Sequence, residues 1–97
     1  MLGLPVDGAR LVDLCRRNDV TRLSVFGSFA HGEANDQSDI DLLVEFSRRK
    51  SLLALVGLER QLSAVFGKKV DLLTEAALSP YLRDRIKRDL QVVYEER

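Results

Sequence analysis

A small α/β or α+β sandwich is the fold class this sequence predicts, and three observations predict it. Segments whose apolar residues alternate with period two trade places along the chain with segments of helical period. The connectors between them are short and polar, with no internal repeat and no low-complexity stretch. Apolar residues make up 45% and charged residues 31% of the 97 positions, the balance of a folded chain rather than a disordered one. Strands and helices in alternation bury a sheet face against a helix stripe, which is the sandwich arrangement. One domain, 1–97, is expected. A chain of this size buries only about 60–65% of its unfolded surface, enough for one modest core and one site, so a large acceptor would have to be another protein.

Residues 7–17 read as a helix, with Leu11, Val12, Leu14 and Cys15 at helical spacing and Arg10, Asp13, Arg16 and Arg17 opposite; Asn18-Asp19 ends it. Residues 21–26 alternate, with Leu23 and Val25 on one face, and run as a strand into Gly27-Ser28. Residues 29–33 are read as one helical turn before a polar loop that ends at Ser38. Ile40 to Phe46 reads as a second, more buried strand, and Ser47-Arg-Arg-Lys-Ser51 as a basic connector. Residues 52–66 form a helix with the stripe Leu55, Leu58, Leu62, Val65 and Phe66, stopped by Gly67. Lys69 to Thr74 is a third strand. Ser79-Pro80 opens a last helix, since proline suits the first helical turn, and Leu82, Ile86 and Leu90 continue its apolar face. Val92-Val-Tyr94 is read as a short final strand.

Composition narrows the function classes. Lys plus Arg is 15 and Asp plus Glu is 15. A net charge of zero argues against general nucleic-acid binding, which needs a basic face to displace counterions. Cys15 is the lone cysteine, so no intrachain disulfide forms, and its place on an apolar helix face reads as core packing. The stretch Met1 to Pro5 has no basic segment followed by an apolar run, so no signal peptide is expected. No apolar stretch approaches about 18 residues. A cytoplasmic location follows as the expectation.

The chemistry concentrates in Gly27-Ser-Phe-Ala-His-Gly-Glu-Ala-Asn-Asp-Gln-Ser-Asp-Ile-Asp41. In a strand, residues two apart share a face, so Asp39 and Asp41 project side by side with Ile40 turned away. Two such carboxylates repel unless a cation lies between them, and hard oxygen ligands at this spacing suit Mg²⁺ together with phosphate and water. Taken alone, the pair also reads as a solvated strand end. Asp71 sits between Val70 and Leu72 in an otherwise apolar strand, where an unpaired acid is costly; Lys68, Lys69 or an Arg would serve as its partner if no metal did. Three acids on adjacent strands need a cation, and a pair of ions about 3.5–4 Å apart stabilises both oxygens of an in-line phosphoryl displacement. Gly27 permits positive φ and close approach of a ligand, Gly32 lets the loop turn again, and the Ser28 hydroxyl with the amides that follow can hold phosphate oxygens.

Gly27-Ser28, ten residues, then Asp39-Ile-Asp41 resembles the signature of the DNA polymerase beta-type nucleotidyltransferase superfamily, with Asp71 in Val-Asp-Leu-Leu-Thr at the place of its third carboxylate. At this length the chain resembles the minimal nucleotidyltransferase (MNT) family, the MntA-type antitoxins of HepT/MntA pairs, over roughly residues 7–95. The resemblance implies a small mixed sheet of three to four strands with helices packed on one side. It implies two Mg²⁺ ions bridged by Asp39 and Asp41, with Asp71 completing the catalytic one, and ATP held at Gly27, Ser28, His31 and Gly32. It further implies a HEPN-domain ribonuclease toxin (HepT) as partner, inactivated by AMP added to a tyrosine. The family often carries Arg or Lys where this chain has His31, and neutral His grips phosphate more weakly than a guanidinium. Two rival readings are an antitoxin that acts by stoichiometric binding and a subunit that modifies a small molecule; the short chain argues against the latter. Arg48-Arg49-Lys50 reads as a solvated loop, or as a docking patch for an acidic partner or a triphosphate, and Arg83, Arg85, Lys87 and Arg88 read as a solvated helix face, or as charges that pair with a partner.

Overall fold

A computed structural model describes residues 8–27 and 39–96. Helix α1 (Gly8–Arg17) leads into strand β1 (Val20–Phe26). Strand β2 (Ile40–Phe46) is followed by helix α2 (Leu52–Phe66), strand β3 (Val70–Thr74), a 3₁₀ turn (Glu75–Ala77), helix α3 (Pro80–Asp89) and strand β4 (Gln91–Glu95). The strands form one mixed sheet in the order β3-β2-β1-β4. β1 pairs antiparallel with β2 and with β4, while β2 and β3 run parallel across the α2 connection. The expected α+β architecture with a mixed sheet is what is found.

Alternation decides which face carries what. Leu23, Val25, Ile40, Leu42, Val44, Val70 and Leu72 are buried on one face together with Tyr94 of the edge strand β4. Leu11 and Cys15 of α1 and Leu58, Leu62 and Phe66 of α2 complete that core from above. Residues in register across β1, β2 and β3, such as Phe26, Asp41 and Asp71, occupy the other face. The aspartates therefore lie on the side of the sheet that α1 and α2 leave open.

The helix ends follow their sequence signals. The Ser51 hydroxyl accepts from the Ala54 amide at 3.1 Å, and Gly67, left-handed at φ +69°, donates its amide to the Ser63 carbonyl. Ser79 caps α3 through the Leu82 amide, with Pro80 in the first turn. After α1, Asp19 takes φ 59°, a conformation that a short polar side chain tolerates. Two expectations shift. β4 spans five residues rather than three, because it pairs with β1 along Arg22 to Val25. The apolar face of α3 buries no residue: Leu82 is 49% exposed, and Ile86 and Leu90 are half-buried. Among the described residues no helix is long and apolar enough to cross a membrane.

Candidate active site

Asp41 is the second residue of β2, flanked by Ile40 and Leu42, both wholly buried on the core face. Its side chain must therefore emerge on the opposite face, the one that carries Phe26. Parallel pairing sets Asp71 directly beside it on β3, and antiparallel pairing sets Phe26 beside it on β1. Neighbouring strands lie about 4.8 Å apart, so the two carboxylates are side by side. Asp39 stands just before β2, where the Ile40 amide donates to the Lys69 carbonyl at 2.9 Å and begins the β2–β3 pairing. It is exposed, and its Oδ2 lies 3.9 Å from Lys69 Nζ.

The electrostatics record this proximity. Burial first, then the Asp71 carboxylate, then that of Asp39, raises the pKa of Asp41 above the usual carboxylate value. Hard oxygen donors that oppose each other's ionisation suit a divalent cation of the Mg²⁺ type. As they stand, no three His, Cys, Asp or Glu side chains among the described residues converge closely enough to hold one ion.

Gly27 ends β1 with φ +74°. Because Phe26 pairs with Asp41, the glycine backbone comes against the Asp41 carboxylate, and a Cβ at Gly27 would stand 2.6 Å from Asp41 Oδ2. Glycine is needed here twice, for the dihedral and for the space. Ser28, His31 and Gly32, with the expected turn at 29–33 and the polar loop to Ser38, lie outside the described residues.

Two basic clusters separate on position. Arg48-Arg49-Lys50 follows the far end of β2, five residues beyond Asp41 along the strand at about 3.3 Å each. Lys50 Nζ bonds Asp19 Oδ2 at 2.6 Å and Arg48 approaches the same oxygen at 3.8 Å, an arrangement that lowers the Asp19 pKa. That run is remote from the carboxylates and does not serve as their triphosphate patch. On α3, Lys87 pairs with Glu75 at 2.6 Å, whereas Arg85 lines a cavity of about 200 Å³ with Phe26, Gly27, Leu82, Ile86 and Asp89. Arg85 is thus a cation beside the glycine turn that charge patterning alone assigns to a solvated face. Its signal was its place between Leu82 and Ile86 on one helical stripe.

The family model for the nucleotidyltransferase domain matches residues 10–93. The chain belongs to this family, and it is a nucleotidyltransferase. It is 39% identical over 82 residues to the protein adenylyltransferase MntA of Thermococcus cleftensis, covering 84% of this chain and 81% of that one. A candidate protein adenylyltransferase of Methanocaldococcus jannaschii is 47% identical over 77 residues, or 79% of this chain and 83% of its own length. Among solved structures, a candidate minimal nucleotidyltransferase superposes with TM-score 0.73 at 41% identity, over 86% of this chain and 84% of that one. A toxin–antitoxin structure with AMP-PNP superposes with TM-score 0.77 over 95% of this chain and 76% of that one; at 21% identity it shares the fold.

Proposed function

We propose that this chain transfers AMP from ATP to a tyrosine of a HEPN-type ribonuclease toxin and thereby neutralises it. The observation that carries the reading is the placement of Asp41 and Asp71 in register on adjacent strands, with Asp39 close by and the Gly27 turn against Asp41. A relative bearing the name protein adenylyltransferase MntA supports the reaction class. The AMPylated HEPN toxin of Shewanella oneidensis, solved with its MNT antitoxin, supports the acceptor class; that antitoxin has this chain's fold at TM-score 0.67.

In this reading Asp39, Asp41 and Asp71 would hold two Mg²⁺ ions, which when bound supply charge neutralisation at the attacking and leaving oxygens. Gly27, Ser28, His31 and Gly32 cradle the triphosphate. The tyrosine oxygen bonds the α-phosphorus, the bond to the β-phosphate bridging oxygen breaks, and pyrophosphate leaves with that electron pair. Asp71 is the carboxylate assigned to take the tyrosine proton. The chain acts as one domain in the cytoplasm, where ATP and Mg²⁺ are available and Cys15 stays reduced.

Incubation with Mg²⁺, α-labelled ATP and the cognate toxin tests this. Label should appear on toxin tyrosine and vanish with the Asp39→Asn/Asp41→Asn double variant. Label that persists in that variant removes the assignment. A double variant that still protects cells fully would favour neutralisation by stoichiometric binding.

A further inference from the structure

β3 is an edge strand, and its outer side is met by side chains rather than by another strand. The order β3-β2-β1-β4 leaves the outward amides of β3 without a strand partner. Helix α2 supplies two. Glu59 Oε2 accepts from the Leu72 amide at 2.9 Å, and Ser63 Oγ accepts from the Val70 amide at 3.1 Å. Ser63 in turn donates to the Glu59 carbonyl at 2.9 Å, which fixes its hydroxyl.

The two spacings match. Residues four apart on a helix advance about 6.0 Å along its axis, and residues two apart on a strand advance about 6.6 Å. Glu59 and Ser63 therefore reach Leu72 and Val70 together, with α2 running opposite to β3. Asp71 is the residue between the two bonded amides. Its own amide, like that of Leu73, faces β2 by the alternation of a parallel ladder. A slip of β3 by one residue would send Asp71 to the core face, and it would break both bonds to α2.

We propose that Glu59 and Ser63 are positioning residues that hold β3 at the height where Asp71 stands beside Asp41. This deepens the metal-site reading above and rests on it for its functional consequence. Neither side chain touches nucleotide; both act through the β3 backbone.

The test uses the full chain and four variants. Glu59→Ala removes the acceptor, Glu59→Gln keeps one, Asp71→Asn removes the ligand, and Ser51→Ala weakens the α2 cap without touching β3. Amide hydrogen exchange at Asp71 and Leu73 reads the position of β3 without any metal. Mn²⁺ titration by calorimetry reads the site. Glu59→Ala should lose protection at Asp71 and Leu73 and bind Mn²⁺ about 10-fold more weakly, the usual scale for groups that orient a ligand. Glu59→Gln and Ser51→Ala should stay near wild type on both. Protection loss confined to Leu72 in Glu59→Ala overturns the proposal, as does an equal loss of Mn²⁺ affinity in Ser51→Ala. Should Asp71→Asn leave Mn²⁺ affinity unchanged, the metal site itself fails, and the exchange result still decides whether α2 positions β3.

Discussion

Gly27 and Gly67 share one backbone conformation and differ in their surroundings, which isolates what the Asp41 carboxylate demands. Their φ angles are +74° and +69°. A Cβ at Gly67 meets nothing within 4 Å, whereas at Gly27 it would stand 2.6 Å from Asp41 Oδ2. Alanine at either site carries the left-handed penalty, about 1–2 kcal/mol. At Gly27 the Asp41 side chain must also leave its rotamer, at about 0.5–1.5 kcal/mol. Gly67→Ala should therefore lose about 1–2 kcal/mol and Gly27→Ala about 1.5–3.5 kcal/mol. Each kcal/mol lowers Tm by about 4–8 °C in a domain of this size, so the excess at Gly27 is about 2–12 °C. Thermal melts in EDTA measure it. The excess should disappear when Gly27→Ala is compared in an Asp41→Ala background, because the obstructing carboxylate is gone. Equal losses at the two glycines, or an excess that survives without Asp41, would refute the reasoning. Label transfer to the toxin should fall about 100-fold in Gly27→Ala, the scale of a displaced reacting group, and change little in Gly67→Ala while the protein is folded.

Other outcomes follow from the same geometry. The Asp41 pKa is raised above 3.8, so the folded chain binds that proton more tightly than the unfolded one, and its ionisation weakens the fold as pH rises through the folded value. Two charges about 5 Å apart repel by about 1 kcal/mol at the high effective dielectric of a half-exposed site. Asp41→Asn should thus raise Tm in EDTA at neutral pH and lose the advantage near pH 3.8 and below, while Mg²⁺ should stabilise the wild type alone. Burial pushes the Cys15 thiol up to about 12, so a disulfide reagent near pH 8 should find no reactive thiol in the native chain and one in guanidinium. Phe66, 1% exposed in the core, should cost about 3–5 kcal/mol when cut to alanine, a large share of a total near 5–10 kcal/mol, read as a fall in the urea midpoint.

Much of the fold was legible because its elements end on residues with one physical use. Gly67 stops α2, and the structure places that helix at Leu52–Phe66 as periodicity predicts. Ile40 to Phe46 is apolar on both faces around its acids, reads as a more buried strand and forms β2 with the same bounds. The ends of β4 were harder, because they depend on pairing with a strand far away in sequence. α3 shows the limit of the stripe argument. Its apolar spacing identifies a helix, but whether anything covers that stripe depends on where the helix docks, and here Leu82 stays half in solvent.

The candidate site divides along the same line. Asp41 and Asp71 stand out because each breaks the pattern of its own strand, an acid among apolar neighbours, and that anomaly is local. That they lie side by side is a fact of parallel register, which no stretch of either strand contains and which only the resemblance to known nucleotidyltransferases implied. Arg48 to Lys50 reads as a solvated loop or as a docking patch, and chain direction sends it to the other end of β2 from the carboxylates. Glu59 left no mark at all. An acid on a helix reads as a solvated face, and its partner is the backbone amide of Leu72, which nearly any residue at that position would present. Side-chain-to-backbone bonds of this kind are illegible for a physical reason: half of the pair is the part of the chain that has no sequence. Leu72→Val should therefore leave the bond in place, whereas removing the Glu59 carboxylate erases it.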